Sequence, residues 1–372
     1  MNRKTLSEIL RESTVVYGSP KRKKSIISEL VTPKRRGSMV CEMPLNTPLC
    51  KGLKKHQPHH KKSNNSAAVC HTFVSDKLKK DTLLGQVLEE RYLVLEKIAE
   101  GGYCTVFKVI DLKSKKYFAL KFMKGTKLAS KAGENEVGFL RKLSESDYFP
   151  DVLCSFFYEK HKCIIIELLG MSLFQLLEST DFNGFSLQNI WTITKQLLQA
   201  LYVLSSANIV HSDIKPENIF LIDLKNYLIK LGDFGCSFED EGYVKGYMQS
   251  RYYRAPEVLF ELICDKNIDM WSLGCLCAEL FLGYPLLQGK DYKNQIIKIV
   301  ELIGPPDERY LANVKDDLSE LARRTKRVKS LENVLQGSSG LFVDFVSSCL
   351  RYRNRLTPET ALMHPWIASC GD

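Results

Sequence analysis

The run Ile209-Val-His211-Ser212-Asp213-Ile-Lys215-Pro-Glu217-Asn218-Ile-Phe220-Leu constrains this chain more than any other stretch. Apolar segments on both sides anchor a short polar loop, so a carboxylate, an ammonium and an amide (Asp213, Lys215, Asn218) share one small region. Asp213 could take a proton from an attacking hydroxyl, Lys215 could neutralise a transferred anionic group, and Asn218 could hold a metal ion. The competing reading is a buried turn whose polar groups only satisfy one another.

A second constellation follows at Ile229-Lys-Leu-Gly-Asp233-Phe234-Gly235: an apolar strand-like run, then an acid, an aromatic and a glycine. The acid can chelate Mg²⁺, the ring can fill core, and the glycine is expected to let the backbone turn sharply. Further on stands Ala255-Pro256-Glu257. Together these motifs resemble the signature set of eukaryotic protein kinases. The resemblance spans roughly residues 85–368 and implies an α+β, bilobal fold. A small antiparallel-sheet lobe with one helix would occupy about 85–166, a hinge about 167–172 and a larger, mainly helical lobe about 173–368, after a disordered basic tail over 1–84. It implies ATP and Mg²⁺, with Asp213 and Lys215 catalytic and Asn218 and Asp233 holding the metal.

Charge divides the 372 residues unevenly: residues 1–84 hold 18 Lys+Arg against 6 Asp+Glu, and the remainder 35 against 37. The excess of +10 therefore belongs to the tail, whose composition cannot bury enough apolar surface to offset chain entropy. Lys21-Arg22-Lys23-Lys24 and Lys34-Arg35-Arg36, nine residues apart, suit a bipartite nuclear-import signal and so an import receptor, with nucleus and cytoplasm as the expected locations. Ser19-Pro20, Thr32-Pro33 and Ser38 look like kinase target sites, where a phosphate would cancel nearby positive charge. An idle solvated tail is the alternative, and nucleic acid is not an expected partner. Twelve cysteines include no C-x-x-C pair, which points to a reducing compartment without structural zinc, and Cys275 and Cys277 read as buried small hydrophobes. No apolar run reaches membrane-spanning length, so a soluble chain is expected, and a monomer.

The motifs of the small lobe resemble the family less closely. Arg91–Ile98 and Phe107–Ile110 alternate like strands around Ala99-Glu-Gly101-Gly102-Tyr103-Cys104, where the family has its glycine-rich hairpin; Ala99 and Cys104 replace two glycines. The resemblance assigns nucleotide binding to Ile98, Ala99, Glu100, Gly101, Gly102, Tyr103, Cys104, Thr105 and Val106. It adds Ala119 and Lys121 of a buried strand, Glu136 as the helix partner of Lys121 (in preference to Glu134), Ile166 at the gatekeeper position, and Glu167 and Leu169 at the adenine edge. Leu187–Leu204 carries apolar residues at helical spacing and reads as a core helix without function.

The run Tyr247-Met-Gln249-Ser250-Arg251-Tyr252-Tyr253-Arg254 up to Glu257 resembles the dual-specificity, tyrosine-regulated kinases and the neighbouring homeodomain-interacting kinases, within the CMGC group. That implies self-phosphorylation on Tyr247, with Arg251 and Arg254 close enough in sequence to bind the phosphate, and later action on Ser or Thr followed by Pro. Ser212 stands where most kinases carry an Arg that couples this loop to a phosphorylated activation segment, so such coupling is expected to be missing or differently built. Residues 289–340 resemble the CMGC insert, a docking surface. Asp269 is expected to cap its helix and hold the polar loop, Glu257 and Arg355 to form a buried ion pair, and Thr357–Trp366 to form one closing helix with a structural His364. The rivals are a scaffold without activity, suggested by the eroded hairpin and Ser212, and a kinase activated by an upstream enzyme.

Overall fold

The computed structural model describes residues 83–241, 246 and 248–369. The basic clusters at 21–24 and 34–36, the tail target sites and Tyr247 lie outside the described residues. The chain forms two compact units, one with described residues 83–133 and 152–168 and the other with 134–151 and 169–369.

The first unit is a six-stranded antiparallel sheet built from β1 (Val87–Leu88), β2 (Tyr92–Glu100), β3 (Cys104–Asp111), β4 (Tyr117–Met123), β5 (Val152–Tyr158) and β6 (His161–Glu167), in the order β1-β2-β3-β4-β6-β5. Along β3 every second residue is buried, Thr105, Phe107, Val109 and Asp111, as the two-residue period of a strand with one covered face requires. Of these, Phe107 and Val109 join Leu88, Tyr92, Val94, Leu120, Phe122 and Ile165 in one core. The β2–β3 pair is longer than the sequence pattern suggests because two register shifts, at Val94/Glu96 and Lys97/Ala99, let polar residues interrupt the alternation without ending the ladder. Helix α1 (Lys127–Lys142) is divided between the two units.

The second unit is mainly helical. Helix α2 (Leu173–Ser179) starts with a capping box between Ser172 and Gln175. In α3 (Leu187–Ser206) the stripe Ile190, Ile193, Leu197, Leu201 and Leu204 is buried, as its spacing predicts, and Ser186 caps the start. Short strands β7 (Ile209–Val210), β8 (Ile219–Asp223), β9 (Leu228–Leu231) and β10 (Phe238–Glu239) form two small ladders, β7 with β10 and β8 with β9. Helix α4 (Ile268–Leu282) is buried on every side from Ile268 to Leu280, which marks it as the central post of this unit. Around it follow α5 (Tyr292–Ile303), α6 (Asp316–Arg324) and α7 (Gly340–Cys349). A Cβ on Gly274 would lie 2.7 Å from Cys349 Cβ, so only glycine lets α7 approach α4 this closely. Cys275 and Cys277 are buried in α4, as expected.

The expected single closing helix is instead two, Pro358–Leu362 and Pro365–Ala368. Pro365 has no N–H to continue the first, and His364 caps the second by accepting from the Trp366 amide. His364 also meets Asp344 at 3.1 Å, a structural role.

Glu257 and Arg355 form a two-pronged pair at 2.7 and 2.9 Å, and the guanidinium also donates to Asn267 O and lies over the Trp271 ring. With the Arg355 side chain only 5 % exposed, losing the carboxylate strands a buried cation. Glu257→Ala should therefore lower unfolding free energy by about 3–5 kcal/mol in urea titrations, and Glu257→Gln by less. Equal midpoints for Glu257→Ala and the parent chain would contradict this.

Candidate active site

The polar turn after β7 is fixed from below by one carboxylate. Asp269 Oδ2 accepts the His211 amide at 2.7 Å and Oδ1 accepts the Ser212 amide at 2.9 Å. Asp269 belongs to the first turn of α4 and is 3 % exposed. Burial pushes its carboxyl up to about 7, against the pull of the two N–H bonds. It holds the loop as expected but does not cap its own helix, whose N-cap residue is Asn267. Between these bonds Ser212 takes φ 61, a left-handed conformation that side chains other than glycine adopt at a cost. Its hydroxyl donates to Cys236 O at 2.7 Å.

His211 is fully buried, and desolvation lowers its pKa, favouring the neutral ring. Nδ1 lies 3.2 Å from the Asp213 amide and must accept, so Nε2 carries the proton and donates to Gly232 O at 3.1 Å. That bond, with Gly232 N→Asn218 O and Ser237 Oγ→His211 O, ties the 211–218 turn to the 232–237 turn.

Four side chains then converge. Asp213 Oδ1 accepts the Ser250 hydroxyl at 2.7 Å, while Oδ2 accepts Lys215 Nζ at 2.7 Å and Asn218 Nδ2 at 2.9 Å. Lys215 also reaches Ser250 Oγ at 3.1 Å. Burial pulls the Lys215 pKa down, but the Asp213 charge and hydrogen bond outweigh it and hold the ammonium above its ordinary value. Asn218 commits its amide nitrogen to the Asp213 carbonyl and carboxylate. Asp233 takes φ 65 ahead of the helical turn Phe234–Cys236. The sharp bend expected at Gly235 is therefore made by Asp233, and Gly235 sits inside the turn. The Phe234 ring is fully buried against Phe149 and His211.

Ser250 was not singled out by the sequence, because nothing local marks a hydroxyl that acts on a residue 37 positions away. Gln249 was likewise overlooked. Its φ is 64, its amide donates to Ile268 O and Ser272 Oγ, and its side-chain oxygen accepts the Ala255 amide. Arg254, 1 % exposed, donates to Met248 O and Gln249 O, and the Tyr253 hydroxyl donates to Glu279. Arg251 donates to Lys290 O.

The candidates in the sheet unit are arranged as follows. Ile98, Ala99, Glu100, Gly101 and Gly102 are exposed, Tyr103, Cys104 and Val106 half-buried, and Gly101 N→Cys104 O closes the hairpin at 2.8 Å. Lys121 is 7 % exposed on β4 between Val106 and Ile164, and Ala119 pairs with Ile166 across β4 and β6. Glu167 pairs with Phe118. In the helical unit Glu136 is buried and Glu134 exposed, and Leu169 is half-buried.

Removing the Asp269 carboxylate leaves two buried amides without acceptors. In Asp269→Ala, hydrogen exchange at His211 and Ser212 should accelerate by about tenfold or more relative to α3, and in Asp269→Asn by less. Unchanged protection in Asp269→Ala would contradict the clamp.

Residues 92–367 match the family described as the protein kinase domain. The DYRK-family kinase pom1 of Schizosaccharomyces pombe is 34% identical over 78% of this chain and 29% of its own length. The human dual specificity tyrosine-phosphorylation-regulated kinase 4 is 36% identical over 74% of this chain and 57% of its own. The mbk-2 kinase of Caenorhabditis elegans is 35% identical over 74% and 39%. The chain thus spans between 29% and 57% of the length of these curated relatives. A kinase-domain match across most of the chain, DYRK-named relatives and the Asp213 network converge on one assignment: the chain belongs to the protein kinase family.

Proposed function

We propose that this chain transfers the γ-phosphoryl group of ATP to Ser or Thr followed by Pro in protein substrates, and phosphorylates its own Tyr247. The observation that carries the reading is the Asp213 carboxylate, held by Ser250, Lys215 and Asn218 in one hydrogen-bonded set. A carboxylate so held can orient an incoming hydroxyl and take its proton, with Lys215 beside it to offset charge on the transferred group. Lys121 of β4 would fix the nucleotide phosphates, with Ala119 and Ile166 against the base.

The donors suit Mg²⁺. Asn218 and Asp233 offer hard oxygen atoms, and among the described residues no group of three or more His, Cys, Asp or Glu could hold a metal alone. Mg²⁺ commonly binds through one or two carboxylates plus substrate phosphates and water. When bound it would offset phosphate charge, while Asn218 and Asp233 set its position.

Preference for proline is supported by Gln249. Its left-handed backbone turns its carbonyl to the Arg254 guanidinium, which donates at 2.6 Å. That carbonyl is engaged, so a substrate residue bringing an N–H here would lose an acceptor, whereas proline brings none. For a phosphate on Tyr247, Arg251 is the more accessible partner, since Arg254 is already committed to main-chain carbonyls. Nuclear import through residues 21–36 belongs to the same proposal, and deleting them should move a fluorescent fusion out of the nucleus.

Phosphosite mapping of the chain made in a host lacking such kinases, beside Asp233→Asn, tests self-phosphorylation. Phosphotyrosine at 247 is expected in the parent chain and absent from the variant. A bare Tyr247 with turnover on a Ser-Pro peptide would indicate an externally activated kinase, and no turnover by folded protein a scaffold. A Ser-Ala peptide should be used about tenfold or more less efficiently than Ser-Pro.

A further inference from the structure

On the helical unit, away from the polar turns, a pocket of about 250 Å³ opens between the end of α5, the stretch after α6 and the turn after α7. Ile303 and Tyr352 line it with the nearly buried Leu331 and Leu350 behind them, and its polar wall includes Arg327, Arg351 and Glu332. The volume falls below the roughly 300 Å³ at which small-molecule sites usually begin, and suits one protruding side chain.

The charge around it is one-sided. Residues 323–329 read Arg-Arg-Thr-Lys-Arg-Val-Lys. Other cations on this segment and on α5 are paired: Arg323 with Glu308, Arg324 with Glu320, Lys293 with Asp317 and Lys298 with Glu301. Lys326, Arg327, Lys329 and Arg351 are exposed, and among the described residues none closes an ion pair within contact distance. A structural explanation covers part of this. The segment caps α5: Val328 and Lys329 amides donate to Glu301 O, and Arg327 Nε donates to Leu302 O at 3.0 Å. Cations do favour the negative end of a helix. Capping uses only Nε of Arg327, however, and leaves its two terminal nitrogens; Arg351 spends one nitrogen on Ser348 Oγ at 2.9 Å. The only carboxylate in the lining is Glu332.

We propose that this pocket receives a phosphorylated Ser or Thr side chain of a partner protein. Arg327 and Arg351 donate to the phosphate, the flanking lysines steer it, and the half-buried Ile303 and Tyr352 take an adjacent apolar residue. Two guanidinium groups around a pocket the size of one side chain favour a phosphopeptide over a nucleic acid, whose backbone carries no protruding side chain. Glu332 opposes an incoming anion, so its charge sets the affinity. The site is independent of the phosphoryl-transfer reading.

The test is fluorescence polarisation with the full chain and a fluorescein-labelled peptide carrying one phosphothreonine beside leucine, its unphosphorylated twin, and an oligothymidine. The phosphopeptide should bind about tenfold or more tighter than its twin, and Arg351→Ala or Arg327→Ala should each remove that margin. Glu332→Gln should tighten binding. The surface pair Lys326→Glu with Lys329→Glu should weaken it without touching the pocket's packing, and turnover of a short substrate peptide should stay unchanged in all of them. Equal binding of the two peptides would overturn the proposal. So would variants that bind like the parent, which would place the anion on other cations of the chain. Oligothymidine outcompeting the phosphopeptide, with loss in the same variants, would make the patch a nucleic-acid surface.

Discussion

Everything in the catalytic turn depends on one buried carboxylate. Asp269 is almost wholly removed from water, a placement that is costly unless each oxygen finds a strong donor, and each does in a consecutive backbone amide of the turn. Those two bonds hold Ser212 in a conformation it would otherwise avoid. With Ser212 so bent, the neutral His211 ring points inward to Gly232 and the next side chain, Asp213, turns to Lys215, Asn218 and Ser250. The carboxylate rides on a helix that is buried on all sides and so cannot easily shift.

The same helix anchors residues 249–253, the segment that carries Ser250. Gln249 donates to Ile268 O and Ser272, Ser272 donates to Tyr253 O, and Tyr253 donates to Glu279, all on or to α4. The segment and the catalytic turn are thus registered against one post. This bears on the serine that replaces arginine at 212. Its hydroxyl donates to Cys236 O, whereas the Ser250 hydroxyl donates to Asp213 itself. The hydrogen bonds between residues 249–253 and the turn thus run through Ser250 and α4, and the Ser212 hydroxyl takes no part in them.

What was legible in the sequence was local. Asp213, Lys215 and Asn218 sit within six positions, so one turn had to bring them together, and it does. The α3 stripe and the buried cysteines of α4 follow from periodicity and apolar run length. Contacts made only by the tertiary fold were not legible: Ser250 on Asp213, and Gln249 as the hub of its segment. Two local expectations failed for conformational reasons. The bend assigned to Gly235 belongs to Asp233, because a carboxylate residue can be held left-handed when its surroundings fix it, and the closing helix breaks at Pro365. Asp269 was read for two roles and fills one, because its two oxygens are used up by the turn.

The most direct test of this account is the rate of ADP release by the purified full chain on a Ser-Pro peptide, with Asp213→Asn alongside. Replacing the carboxylate by an isosteric amide keeps the shape, turns one of its two acceptor atoms into a donor and removes the base. The account predicts that kcat falls by about a hundredfold to ten-thousandfold, with the KM for ATP little changed and the fold intact. Turnover by Asp213→Asn equal to that of the parent chain would contradict it, because the network around Asp213 would then be only a structural turn.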